Sequence, residues 1–180
     1  FMVPKSDQQS EIKRNLFFGG MVSEEVGGFH AGKFFAGLLK TAQAAGAVIH
    51  AQTCVEEIIG TSSSKKTVVT NRGSVLAGKV IIATNAYTGP KYQFGKFLRR
   101  RLVPAQSCII VTDALGTETV KDLMPKLRMY GNTAKLYSYF RPTPARDRIL
   151  LGSRSFDKHR PSARSVGYLH QQLAQIFPEL

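Results

Sequence analysis

Tyr139 and Arg141 lie two positions apart in the segment Tyr137 to Arg141, whose alternating pattern predicts a β-strand. Because alternate side chains of a strand point to the same face, these two residues share one surface. The guanidinium of Arg141 can pair with a substrate carboxylate through two parallel hydrogen bonds. Arg154 is a weaker candidate for the same role. The alternative interpretation is that this surface is a solvated sheet face.

His30 follows the pair Gly27-Gly28 and precedes a predicted helix over Ala31 to Gly46. The amino end of a helix favours anions and a neutral imidazole. His30 can therefore face a substrate or a cofactor at this point. The alternative is a histidine that only caps the helix.

Small residues follow the apolar run Lys79 to Ala83, which is typical of a parallel strand buried on both faces. Ala83, Thr84, Asn85 and Ala86 would then stand at the carboxyl end of that strand, where an open α/β sheet holds its cofactor. Their small side chains allow the backbone to approach a dinucleotide closely. The alternative is an ordinary turn between a strand and a helix.

The elements that must position these residues differ between the two halves of the chain. The first half of the chain predicts a helix over 31–46 and short apolar strands over 47–50, 53–59, 67–70 and 79–83. Asn71-Arg72-Gly73 predicts a hairpin turn after the strand 67–70. The second half predicts strands and two helices: 102–112, 117–124, 137–141, 148–152 and 162–176. A helix leading directly into a strand is half of a βαβ unit, whereas the alternation in the later strands favours an antiparallel sheet with one covered face. The predicted fold class is α/β (α+β).

Composition limits the functions that the chain can have. Its 180 residues suit one large domain or parts of two, and a hydrophobic content of 43% suits a packed globular core. The net charge of +13 attracts phosphates, nucleic acids, membrane surfaces and carboxylate ligands. The densest basic run, Lys96 to Arg101, is interpreted as a solvated loop or helix end, with contacts to another domain or to nucleic acid as alternatives. The sequence lacks the interleaved basic and aromatic residues of single-strand nucleic-acid binders. No apolar stretch has the length of a membrane span.

Several kinds of catalytic or binding motif are missing from the sequence. Cys54 and Cys108 stand apart in apolar segments, which predicts two buried reduced thiols and no metal site. There are no paired carboxylates, no Ser-His-Asp set and no HExxH motif that would indicate hydrolysis. The GxGxxG motif that holds a dinucleotide pyrophosphate is also not present.

Three segments together resemble the D-amino-acid oxidase superfamily, which includes glycine, sarcosine and gamma-glutamylputrescine oxidases. They are Gly27 to Lys33 with the helix that follows, Val80 to Thr88, and Tyr139 to Arg141 followed by Arg148 to Arg154. The resemblance covers most of residues 16–156 and implies the middle segment of an FAD-dependent enzyme. In this family a His-Pro pair often stands at the start of the helix, and here Ala31 replaces the proline.

The resemblance also implies roles for particular residues. The loop from Ala83 to Ala86 would pass the phosphates and ribose of FAD, and the backbone of Val55 would meet the adenine. Val55 can equally be a plain core valine. Tyr139, Arg141 and His30 would line the substrate side of the flavin.

By the same resemblance, residues 1–88 form a partial, Rossmann-like FAD-binding domain. Residues 89–160 form a mostly antiparallel substrate-binding sheet domain, and residues 161–180 a helix of that domain. The GxGxxG motif would lie upstream of Phe1 and further flavin contacts beyond Leu180, so the segment itself is expected to be inactive.

The implied reaction is hydride transfer to FAD from the carbon that bears the nitrogen of an amine or amino acid, followed by hydrolysis of the imine. A non-catalytic binding remnant is the main alternative, and a basic nucleic-acid-binding domain or an NAD-linked reductase is a weaker one. The expected partners are a small-molecule amine or amino acid and no specific nucleic acid. Self-association through exposed sheet edges and a cytoplasmic location are further expectations.

Overall fold

The computed structural model describes residues 1–60, 65–88, 96–103, 105–155 and 162–180. The strands in chain order are β1 (Met2–Pro4), β2 (Gly19–Met21), β3 (Val55–Ile59), β4 (Lys66–Thr70), β5 (Gly73–Ala77), β6 (Ser107–Val111), β7 (Tyr130–Gly131), β8 (Ser138–Pro142) and β9 (Ile149–Arg154). The α-helices are α1 (Ala31–Ala44), α2 (Lys96–Arg99), α3 (Thr117–Leu123) and α4 (Ala163–Ile176). Short 3₁₀ helices span Lys5–Ser10 and Asn85–Tyr87. This mixture of helices and strands confirms the predicted α/β class.

The chain divides into two compact units. Unit 1 contains residues 1–34 and 106–180, and unit 2 contains residues 35–105. The two units are defined by contacts between residues and not by what each unit binds. The assignment of residues 1–88, 89–160 and 161–180 to FAD and substrate binding stays a prediction.

Unit 1 is built on an antiparallel sheet in the order β6-β9-β8-β7, accompanied by the antiparallel pair β1-β2. One face of the larger sheet is covered, as the alternating strands predicted. Residues of the sheet, of α3, of α4 and of the loops beside them form one hydrophobic core: Ile12, Cys108, Val120, Leu123, Met124, Phe140, Ile149, Leu151, Leu169, Leu173, Ile176 and Phe177. Helix α4 begins after Ser162, whose hydroxyl accepts a hydrogen bond from the backbone N–H of Ser165 at 3.4 Å.

Unit 2 contains an antiparallel sheet in the order β3-β4-β5. The predicted hairpin is present between β4 and β5, where Gly73 has a φ of 133° that a side chain would disfavour. Helix α1 ends at Ala44, and the predicted C-cap Gly46 follows with a φ of 92°.

The predicted parallel strand over residues 79–83 is wrong: these residues are irregular, and the Ile81 side chain is 90% exposed. A strand needs a hydrogen-bonded neighbour, and no described strand pairs with this run. The segment 47–50 is likewise irregular. Each sheet of the described residues is antiparallel, so the first half lacks the predicted parallel pairing.

The predicted burial of Cys54 is wrong, and helix α1 is exposed as well. No residue of α1 is buried, and its apolar residue Phe34 is 57% exposed, so the described residues do not cover the amphipathic face of the helix. Cys54 is exposed and only Cys108 is buried. Cys54 lies just before β3, at the start of an edge strand, where a ladder partner covers one side only.

Candidate functional site

The outer face of the four-stranded sheet in unit 1 carries Tyr139 and Arg141. Their neighbours Ser138 and Phe140 on β8 are buried in the opposite face, so strand alternation directs the predicted pair away from the core. The register with β9 places Tyr139 opposite Gly152 and Arg141 opposite Leu150. On the other side, Gly131 of β7 stands opposite Tyr139.

The Arg141 guanidinium is held beside the loop that precedes α1. Its Nη1 atom lies 3.5 Å from the carbonyl oxygen of Phe29, which is a long hydrogen bond. Arg141 is half-buried and has no carboxylate partner among the residues that the structure describes. Most of its donors are therefore available to an anion.

Gly28 is the point at which this loop comes closest to the sheet. A Cβ atom at Gly28 would stand 2.6 Å from the sulfur of Met129 and 3.3 Å from Nη1 of Arg141. The glycine therefore permits a contact between loop and guanidinium that a side chain would displace. The sequence shows the Gly27-Gly28 pair, but no local pattern indicates that Gly28 lies against Arg141.

His30 is exposed and caps α1, since its Nδ1 atom accepts a hydrogen bond from the backbone N–H of Lys33 at 3.3 Å. The capping interpretation of this histidine is thus present in the structure. His30 also lines a cavity of about 1140 Å³ in unit 1, together with Gly28, Phe29 and Arg141. The structure therefore brings two of the three predicted substrate residues to one cavity, with Tyr139 two positions from Arg141 on the sheet.

A second group of residues in this cavity was not found from the sequence. Glu11, almost fully buried, forms an ion pair with Arg128, whose Nε atom lies 3.0 Å from its carboxylate. Tyr130 donates a hydrogen bond of 2.5 Å to the backbone carbonyl of Glu11. Glu11 is 117 positions from Arg128 and 119 from Tyr130, so no local pattern relates it to them.

The Glu11 cluster fixes one wall of the cavity and keeps a phenol neutral. Burial, and after it the negative charge of Glu11, raises the pKa of Tyr130 to about 12. The phenol is therefore protonated at neutral pH and acts as a donor to the Glu11 carbonyl. The Glu11 charge is already paired to Arg128, and the described residues supply no carboxylate to the other two cavity arginines, Arg141 and Arg146. Of these two, Arg146 is exposed and Arg141 is half-buried.

The predicted cofactor residues all lie in unit 2. Val55 begins β3, is half-buried and pairs with Thr70. Residues 83–86 do not end a strand and instead enter a tight 3₁₀ turn, in which the hydroxyl oxygens of Thr84 and Thr88 lie 2.5 Å apart. Asn85 adopts a φ of 45° in this turn.

The turn nevertheless fits contact with a dinucleotide. Residues 83–86 are exposed and carry small side chains, so their backbone can be reached closely by a ligand. Among the described residues, no group of three or more His, Cys, Asp or Glu side chains could hold a metal ion. Within the same residues, no helix has both the length and the apolar character needed to cross a bilayer.

An α/β chain with an arginine at a cavity and an exposed small-residue turn is compatible with a flavin-dependent enzyme, and the family comparison identifies the class. The family described as DAO, FAD dependent oxidoreductase, matches residues 2–180. The chain belongs to this family, whose cofactor is FAD.

Two curated relatives are similar over almost the whole chain. The chain is 25% identical over 178 residues to the probable oxidoreductase OrdL of Haemophilus influenzae, covering 98% of this chain and 40% of the relative. It is 28% identical over 170 residues to gamma-glutamylputrescine oxidoreductase of Escherichia coli, covering 94% of this chain and 39% of the relative. The chain thus spans about 40% of the length of these relatives.

Proposed function

We propose that this chain is part of an FAD-dependent oxidoreductase that oxidises the C–N bond of an amine or amino acid. The observation that carries the proposal is the Arg141 guanidinium, which lines the cavity half-buried and without a carboxylate partner among the described residues. The name of one relative, gamma-glutamylputrescine oxidoreductase, supports a substrate that contains nitrogen. A primary or secondary amine, an amino acid or a polyamine conjugate all belong to this class.

In this proposal Arg141 binds the carboxylate of the substrate through its paired N–H groups. Tyr139 and His30 line the substrate side, and the apolar residues Phe29 and Met129, which line the cavity with His30, border the reacting carbon. His30 accepts the Lys33 N–H at Nδ1, so its Nε2 atom is the nitrogen that remains for a ligand.

FAD, when bound, supplies the redox chemistry by accepting a hydride from the carbon that bears the nitrogen. The substrate nitrogen loses a proton as the C–N bond becomes an imine, and water then hydrolyses the imine to a carbonyl compound and an amine or ammonia. The residues proposed to hold FAD are Val55, through its backbone, and Ala83, Thr84, Asn85 and Ala86. The isolated chain is expected to have little or no amine-oxidising activity, because it contains no GxGxxG motif for the pyrophosphate.

The first test is whether the chain retains flavin. The purified chain is mixed with FAD, separated from the excess, and its visible flavin absorbance is measured. Retained absorbance supports a site in Val55 and residues 83–86, and the variant Asn85→Pro, which disrupts the turn, should then lose it. If flavin remains fully bound in Asn85→Pro, these residues do not hold it.

The second test addresses Arg141 with glycine, the smallest ligand that carries both an amine and a carboxylate. Binding is followed by NMR of the chain with ¹³C-labelled tyrosine rings, which number six. Arg141→Gln should weaken glycine binding by about 10- to 150-fold, because a hydrogen bond to a charged group contributes about 1.5–3 kcal/mol.

The matched control is Arg72→Gln, which removes the same charge from an exposed position in unit 2. An equal loss of glycine affinity in Arg141→Gln and Arg72→Gln would assign that affinity to the overall positive charge. That result would remove Arg141 from the proposed site.

A further inference from the structure

Gly152 lies in the middle of β9, on the outer face of the sheet and directly opposite Tyr139. A Cβ atom at this position would stand 2.5 Å from Cε2, 2.6 Å from Cζ and 2.8 Å from the hydroxyl oxygen of Tyr139. Such separations are shorter than the contacts that real Cβ atoms make. The ring of Tyr139 therefore occupies the space that any side chain at position 152 would need.

The backbone gives no other reason for a glycine here. Gly152 is not among the glycines with a positive φ, and its neighbours on the same face, Leu150 and Arg154, carry ordinary side chains. Glycine inside a strand lowers strand stability, and it commonly marks a place where another group approaches closely. In this strand the group that approaches is the Tyr139 ring.

We propose that Gly152 is a positioning residue: the missing Cβ lets the Tyr139 ring lie across β9 and so sets where its hydroxyl meets the substrate. This inference rests on the proposed function, in which Tyr139 lines the substrate side. On its opposite flank, Tyr139 faces Gly131 of β7, where a Cβ atom would meet nothing closer than a carbonyl oxygen at 3.9 Å. The ring therefore leans toward β9, and only one of the two glycines determines its place.

A methyl group at position 152 should move the ring without unfolding the sheet. The atoms that clash belong to the far end of the half-buried Tyr139 side chain, which can rotate outward, and not to backbone. The backbone pairing of Tyr139 with Gly152 does not depend on a side chain at 152. Gly152→Ala should accordingly leave the chain folded and displace the phenol hydroxyl.

The experiment compares the unsubstituted chain with Gly152→Ala and with the matched control Gly131→Ala, using the ¹³C-tyrosine signals of each. Tyr139→Phe assigns the Tyr139 signal by its loss. We expect that signal to shift in Gly152→Ala and to stay in place in Gly131→Ala. Glycine affinity should fall roughly tenfold in Gly152→Ala, the effect of about one hydrogen bond to a charged group.

Repeating Gly152→Ala in the Tyr139→Phe background shows whether Gly152 affects glycine affinity through the Tyr139 hydroxyl or only through the structure of the sheet. If Gly152 acts through the hydroxyl, the substitution no longer changes glycine affinity there. An unchanged Tyr139 signal in Gly152→Ala, or an equal loss of affinity in both backgrounds, would overturn the positioning role. If glycine shifts no tyrosine signal of the unsubstituted chain, the proposed function fails instead, and the response of the Tyr139 signal to Gly152→Ala still tests the geometry.

Discussion

The hydrogen bond from Tyr130 to the Glu11 carbonyl should make a measurable contribution to the stability of unit 1. Tyr130→Phe keeps the ring, which stacks on Phe140 at 5.3 Å, and removes only the hydroxyl. The bond is short, at 2.5 Å, and Glu11 is almost fully buried, so its carbonyl would lose a partner that water cannot easily replace. An unsatisfied buried acceptor of this kind destabilises a protein by about 1–2 kcal/mol.

Urea unfolding followed by circular dichroism measures this loss. With a denaturant dependence of about 1–3 kcal/mol per molar urea, the urea midpoint should fall by about 0.3–2 M. The control Tyr137→Phe removes a phenol hydroxyl from a side chain that is 44% exposed and has no hydrogen-bond partner at its hydroxyl among the described residues. Equal midpoints for Tyr130→Phe and the unsubstituted chain, or an equal fall in the control, would refute the reasoning.

The same bond makes stability depend on pH in a defined window. The pKa of Tyr130 is raised from 10.0 to about 12 in the folded chain, first by burial and then by the charge of Glu11. A group whose pKa is raised on folding contributes stability that is complete below pH 10 and is lost as the pH rises through 12. The difference in urea midpoint between the unsubstituted chain and Tyr130→Phe should therefore shrink over that window, and a constant or growing difference would contradict the pKa.

Two further substitutions test the core and the sheet edge. Phe177→Ala removes a fully buried ring that meets Phe140 at 5.9 Å, so it should destabilise the chain by about 3–5 kcal/mol in urea unfolding, and a loss below about 1 kcal/mol would show that this core is loosely packed. Ile109→Lys places a charge on the exposed face of β6, an edge strand of the four-stranded sheet, and should reduce any concentration-dependent association seen by light scattering. Association that is unchanged in Ile109→Lys would exclude this edge as the contact.

Local patterns predicted the elements whose stability depends on neighbours along the chain. Helix α4 begins beside the capping residue Ser162 and has a buried apolar stripe, so its periodicity was sufficient. The hairpin at Gly73 is also a local feature, because its turn requires a glycine with a positive φ at a fixed position between the two strands. The antiparallel strands β8 and β9 were also found, since alternation records which face is covered.

The elements that were missed depend on partners distant in the sequence. The run at residues 79–83 is apolar enough for a buried strand, but a ladder requires a second strand, and none of the described strands lies beside it. The same applies to the Glu11, Arg128 and Tyr130 cluster, because ion pairs between distant segments leave no periodic signal. The spacing of Tyr139 and Arg141 did predict their common face, yet it could not indicate that Gly28 and Phe29 would lie against the guanidinium.

The pairing register of the strands decides which residues lie next to Tyr139 on the outer face of the sheet. Glycine in a sequence is usually interpreted as a turn. Nothing in the sequence distinguishes Gly131 or Gly152 from the other glycines of the chain. Pairing places both beside Tyr139, and the direction in which the ring leans distinguishes them. A side chain larger than hydrogen at position 152 is compatible with this sheet only if Tyr139 is smaller or turned away, because both groups would otherwise occupy the same space. The position of the phenol is therefore a joint property of two strands, and a substitution on β9 tests the role of a residue on β8.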